Sequence, residues 1–107
     1  MTMQDRENAF ENKYAHDAEV RFRAEARRNK LLGIWAAEKL GKADEAADAY
    51  VKEVIKADFQ EAGDDDVFRK IRADFDAAGI DTSDHRIRRK MEELMIEAIQ
   101  QIEGPAA

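Results

Sequence analysis

Apolar residues recur at helical spacing along almost the whole chain, but their density is uneven. Phe10, Tyr14, Ala18 and Phe22 fall four positions apart in FENKYAHDAEVRF, a spacing that suits one face of a helix. The run RAEARRNK at 23–30 then offers only alanine, and strong hydrophobicity returns with LLGIWAAEKL at 31–40. A helix that fades and recovers in this way is expected to use its first part on something other than its own core.

Three further helices follow. The second is predicted from near Asp44 to near Ala62, with Ala47, Tyr50, Val51, Val54, Ile55 and Phe59 on its apolar face. Asp64, Asp65 and Asp66 stand at the mouth of the third, where exposed N–H groups and the helix dipole favour carboxylates and predict a capping role. That helix is expected to bury Val67, Phe68, Ile71 and Phe75. The fourth starts near Thr82 or Ser83 and presents Ile87, Met91, Leu94, Met95, Ala98, Ile99 and Ile102. Gly41, Gly63, Gly79 and Gly104-Pro105 fall where these helices should stop. Gly33 lies inside the first helix instead, and marks either a close helix crossing or a weak point. Strand signals are almost missing, so the fold is expected to be all-α.

Length adds a constraint. A helix from about Asn8 to Leu40 would be roughly 50 Å long. A compact chain of this size has a radius of gyration near ~13 Å and a diameter of roughly 35 Å. Either the first helix breaks, or about a dozen N-terminal residues project or fray. The expected architecture is a four-helix bundle-like domain with a long or mobile N-terminal helical arm. Projection leaves Phe10 and Tyr14 little core to join.

Composition narrows the chemistry. The 107 residues contain no cysteine, which excludes disulfides, thiolate catalysis and cysteine-ligated metals. No run approaches a membrane span and the N-terminus lacks a signal-type apolar segment, so no membrane insertion and a cytoplasmic location are expected. The formal charge is −6 and unevenly placed: residues 1–30 hold seven basic and six acidic side chains, residues 31–107 eleven and eighteen. That acidic body opposes general attraction to nucleic acid. The cluster Arg21, Arg23, Arg27, Arg28 and Lys30 is either a solvated helix face or a reader of a local acidic surface.

Catalytic constellations are missing. His16 and His85 are the only histidines, neither in a zinc-ligand pattern, and no Gly-rich phosphate loop, HExxH motif or calcium loop occurs. His16 reads as a partly exposed polar residue whose protonation would add charge. Trp35, amid Leu31, Leu32 and Ile34, reads as a core anchor. DHRIRRK at 84–90 supplies four cations, yet it leads directly into EELMIE, as an amphipathic helix with paired or solvated basic residues would. A nonenzymatic role is expected.

Four segments carry a more specific signal: FENKYAHDAE at 10–19, EARRNKLLGIWAAEKLG at 25–41, VIKADFQEAG at 54–63 and SDHRIRRKMEEL at 83–94. Together they resemble the small alphaproteobacterial ζ subunit that inhibits the F1 part of ATP synthase, over essentially the whole chain. The resemblance implies a four-helix protein that binds F1 on the cytoplasmic side of the membrane and restrains ATP hydrolysis through a mobile N-terminal arm, residues 1–19, carried by a four-helix domain, residues 20–107. It implies contact with the alpha, beta and gamma subunits at the catalytic/rotor interface, peripheral association with the membrane through ATP synthase, and suppression of hydrolysis more than synthesis. Tyr14 stands where a phenylalanine is common in the family, which keeps an aromatic wedge and adds a hydroxyl. No motif locates a nucleotide site, and no cofactor is expected. Under this resemblance Phe10 and Tyr14 supply apolar anchors, and Glu7, Glu11, Lys13, Asp17 and Glu19 fix orientation. Arg21, Arg23, Arg27 and Arg28 engage acidic partner side chains. The alternative is a nonenzymatic helical adaptor of another protein complex.

Overall fold

The computed structural model describes the backbone of residues 3–60 and 63–103, and the side chains of residues 17–60 and 63–103. It is all-α, with α1 (Met3–Lys39), α2 (Asp44–Ala57), α3 (Asp65–Ala77) and α4 (Asp84–Glu103), and no strand among the described residues. α1 packs along α2 on one side and α4 on the other, and α3 closes the ring by packing on both of those. One core results, in which Leu32, Ala36, Val54, Val67, Ile71, Phe75 and Ile87 lose all contact with solvent. Each large side chain so buried contributes about 2 kcal/mol of transfer free energy. Trp35 joins from α1 as a half-buried anchor, its ring 5.6 Å from that of Phe75 across the bundle.

The burial on α1 follows a four-residue stripe: Ala24, Arg28, Leu32 and Ala36 are all buried. Beside it lies Gly33, where a Cβ would come within 2.9 Å of the Val51 Cα and 3.2 Å of a Val51 methyl. Gly33 therefore marks a close crossing of α1 over α2, not a weak point. The helix ends obey equally local rules. Gly41 takes φ 74° after α1, where the Lys42 N–H reaches the Ala37 carbonyl at 2.9 Å and the Gly41 N–H reaches Glu38 at 3.1 Å. This double closure satisfies the last carbonyls of the helix. At the start of α4, the Ser83 hydroxyl accepts the Arg86 N–H at 3.1 Å, an N-cap where one was expected.

Three local expectations are corrected. α1 begins five residues earlier than Asn8, at Met3. α2 ends at Ala57, not near Ala62: the next turn tightens into Phe59 N–H to Lys56 and Gln60 N–H to Ala57 bonds, both 3.1 Å. That tightening swings Phe59 off the buried face, leaving it 76% exposed. The aspartates before α3 also divide their work. Asp64 occupies the N-cap position without a side-chain cap bond. Its carboxylate and that of Asp65 lie 3.4 and 2.8 Å from the Arg88 guanidinium, while Asp66 is buried and accepts the Val67 N–H at 2.8 Å.

Polar contacts lock the outer elements. Arg72 donates to the Thr82 carbonyl and to Asp84 at 3.1 Å, fastening the α3–α4 connection. The Tyr50 hydroxyl donates to Asp74 at 2.8 Å, linking α2 to α3. The molecule measures 61 × 28 × 23 Å with a radius of gyration of 17.2 Å. The long axis matches the roughly 55 Å of a 37-residue helix, so α1 sets it.

Two substitutions test this packing. Gly33→Leu should destabilise the fold by about 3 kcal/mol in chemical denaturation, since the added side chain meets backbone that cannot yield. Burial, and then the hydrogen bond to Asp74, hold the Tyr50 hydroxyl above its usual ionisation range. The unfolded hydroxyl ionises near pH ~10, so the native state holds the proton longer and stability falls as pH rises beyond that point. Tyr50→Phe should cost about 1 kcal/mol at neutral pH and flatten the alkaline limb of a melting-temperature profile.

Candidate partner-binding surface

On α1 the transition from solvent to core takes place between residues 17 and 28. Asp17, Ala18 and Glu19 are exposed, and Ala24 is the first fully buried side chain among the described residues. A rotation of about 100° per residue puts Phe22 on the side of α1 nearly opposite Ala24. Phe22 is accordingly 68% exposed. The register that contains Ala18 and Phe22 thus stays outside the core, with Phe22 at the edge of a groove, and the register that contains Ala24 and Arg28 faces into the core.

The expected contact residues separate along the same line. Arg23 reaches Glu19 at 2.7 Å and Arg21 reaches Glu25 at 3.7 Å, both exposed pairs one helical turn apart. Such pairs contribute only a few tenths of a kcal/mol, roughly 0.3–0.5, and leave the guanidiniums open to exchange partners. Arg27 is half-buried and bonds Gln101 on α4 at 2.6 Å. Arg28 differs from all three. It is only 4% exposed, donates twice to the Asn29 side chain at 3.0 and 3.1 Å, and lies 3.9 Å from Asp58 and 3.7 Å from Asp64. Its charge is spent inside the fold, fastening the α2–α3 connection to α1. The side chains of Glu7, Phe10, Glu11, Lys13, Tyr14 and His16 lie outside the described residues.

A groove of about 890 Å³ opens beside this stretch, between α1, the α2–α3 connection and the end of α4. Sequence reasoning missed it, because Phe59 read as core and Ile99 as the buried face of α4. Ile99 is in fact 37% exposed at the groove wall. A signal for Arg28 was available: it sits midway in the spacing Ala24, Arg28, Leu32, which any helix rotates to one side.

The basic segment of α4 is largely engaged. Arg88 stacks on Phe68 at 4.0 Å and pairs with Asp64 and Asp65, while Arg89 and Lys90 lie 3.5 and 3.8 Å from Glu93. Among the described residues no cluster of carboxylates and histidines suited to a metal occurs, and no helix is long and apolar enough to cross a membrane.

Known proteins place this arrangement. The family described as ATPase inhibitor subunit zeta matches residues 1–101. No curated protein matches the chain. A protein whose solution NMR structure is known is 50% identical, with a TM-score of 0.68, over 77% of this chain and 93% of its own.

Arg28→Met should lower stability by about 2 kcal/mol, because Asn29 would lose two donors and the Asp58–Asp64 turn its cationic anchor. Urea denaturation checks the magnitude, and Arg23→Met, at an exposed position, should change it by less than about 0.5 kcal/mol.

Proposed function

The chain belongs to the ATPase inhibitor subunit zeta family, a family of regulatory proteins rather than enzymes, and from that premise we propose how it inhibits. The target is the F1 sector of ATP synthase. Residues 1–19 act as the inhibitory arm and enter the catalytic/rotor interface formed by the alpha, beta and gamma subunits. Residues 20–107 form the four-helix domain that positions them. The protein then resides in the cytoplasm, held at the membrane face only through the synthase.

One observation carries this reading: the register running through Ala18 and Phe22 is left exposed outside the core. Phe10 and Tyr14 belong to the same four-residue series. Large aromatic groups outside a core are the side chains that anchor protein interfaces when desolvated by a partner. Flanking charges then fix orientation: Glu7, Glu11, Lys13, Asp17 and Glu19 along the arm, and Arg21, Arg23 and Arg27 at its base. Arg28 serves the same interface from within, since it holds the α2–α3 connection against the helix that carries the arm. Inhibition of this kind breaks no covalent bond in the inhibitor. A helix wedged between moving subunits opposes rotation, and a wedge tightened by one sense of rotation and expelled by the other suppresses hydrolysis more than synthesis.

The full-length Phe10→Ala/Tyr14→Ala variant tests the wedge. Each aromatic anchor contributes about 2 kcal/mol, so each truncation should raise the half-inhibitory concentration for ATP hydrolysis by F1 about 30-fold. The circular dichroism of the variant should match the parent. Inhibition at the parent concentration would exclude the wedge, and failure of the parent chain to inhibit F1 at all would favour an adaptor of another complex.

A further inference from the structure

The groove beside α1 has properties that the arm does not use. Its apolar surface comes from Phe22, Phe59, Met95 and Ile99, drawn from α1, the turn after α2 and the last turns of α4. Phe59 stands 76% exposed, and its N–H and that of Gln60 bond back to the Lys56 and Ala57 carbonyls at 3.1 Å. Covering an exposed aromatic ring with a partner removes apolar surface from water, which favours binding.

The charges around this surface have one prevailing sign. Asp17, Glu25, Asp58, Asp64 and Glu103 line the groove against two cations, Arg21 and Arg28. Buried Arg28 lies beside Asp58 and Asp64 and offsets part of their charge, and Asp64 also faces Arg88. Arg21 pairs with Glu25. Five carboxylates against two guanidiniums leave the lining a formal balance of −3, so the apolar floor has an acidic rim, continuous with the exposed Asp17, Arg21 and Phe22 of α1.

We infer that this groove is a second docking surface for the same F1 partner, and that its occupant is a basic amphipathic helix of F1 presenting an apolar side chain between lysines or arginines. Apolar burial against Phe59 and Ile99 supplies the affinity, and the acidic rim selects the cationic flanks. Helix-in-groove recognition has this form. The groove shares Asp17, Val20 and Arg21 with the base of the arm, so a partner engaged by the arm lies against the groove's open side. Two linked contacts act as a bivalent pair, in which the groove raises the local concentration of the arm without adding to the wedge itself. The inference rests on the F1 reading above.

A photo-reactive phenylalanine analogue at position 59 of the full-length chain tests it, with F1 as the target. An adduct in an F1 helix rich in lysine or arginine is the expected result. An adduct in an acidic F1 segment, only in a second copy of this chain, or only within the chain itself would overturn the proposal. In parallel, full-length Phe59→Ser should raise the half-inhibitory concentration about 10-fold while leaving inhibition at saturation unchanged, and Phe59→Leu should restore most of the loss. Parent-level inhibition by Phe59→Ser, with Phe10→Ala/Tyr14→Ala still defective, would overturn the groove alone. Absence of inhibition by the parent chain would instead remove the F1 reading.

Discussion

A methyl group at position 33 would collide with the backbone of Val51, so α1 and α2 can cross at their observed distance only because residue 33 is glycine. Most of the structure depends on that approach. With α2 drawn close, Tyr50 and Val54 are buried beside Leu32 and Ala36, and α3 closes the ring through Phe75 and Ile71. The tolerance is narrow because helix interfaces are packed to crystal-like density and cannot absorb an extra side chain by deforming. Glycine inside a helix costs about 1 kcal/mol relative to alanine. The close crossing offsets that cost with contacts that no larger residue would permit.

A one-sided helix follows from this packing. α1 is the longest element and contributes to the core through a single spiral stripe, beginning at Ala24. Toward the N-terminus of that point the described side chains at 17–19 belong to solvent. Arg28 and Asn29 sit where the two regimes meet. Their mutual hydrogen bonds, and the aspartates that face the guanidinium, let polar side chains occupy a stripe otherwise reserved for small apolar ones.

Charge serves several separate ends within this small protein. Arg88 ties α4 to the start of α3 through carboxylates and the face of Phe68, and Arg72 ties the α3–α4 connection. These cations are consumed in construction. Around the groove carboxylates outnumber cations five to two, so a run of basic letters in the sequence and a basic surface in the molecule are different things.

The sequence by itself determined the number and order of the helices, because periodicity and stop signals are local properties that one turn of backbone can enforce. Gly41, Gly79 and Ser83 act through bonds to residues fewer than six positions away, and all three were legible. The core faces of α3 and α4 were legible for the same reason, with Ile71, Phe75, Ile87 and Met91 at helical spacing. Only tertiary structure decided the fate of residues whose environment comes from distant segments. Phe59 continued the apolar period of α2 but left it when the chain turned toward α3. Arg28 belonged by composition to a basic cluster, yet the arrival of Asp58 and Asp64 from some thirty positions away made it interior. Gly33 had two readings until Val51 was placed against it. The groove, assembled from three elements at once, has no signature in any one of them, since a concave surface is a property of how helices meet and not of any helix alone.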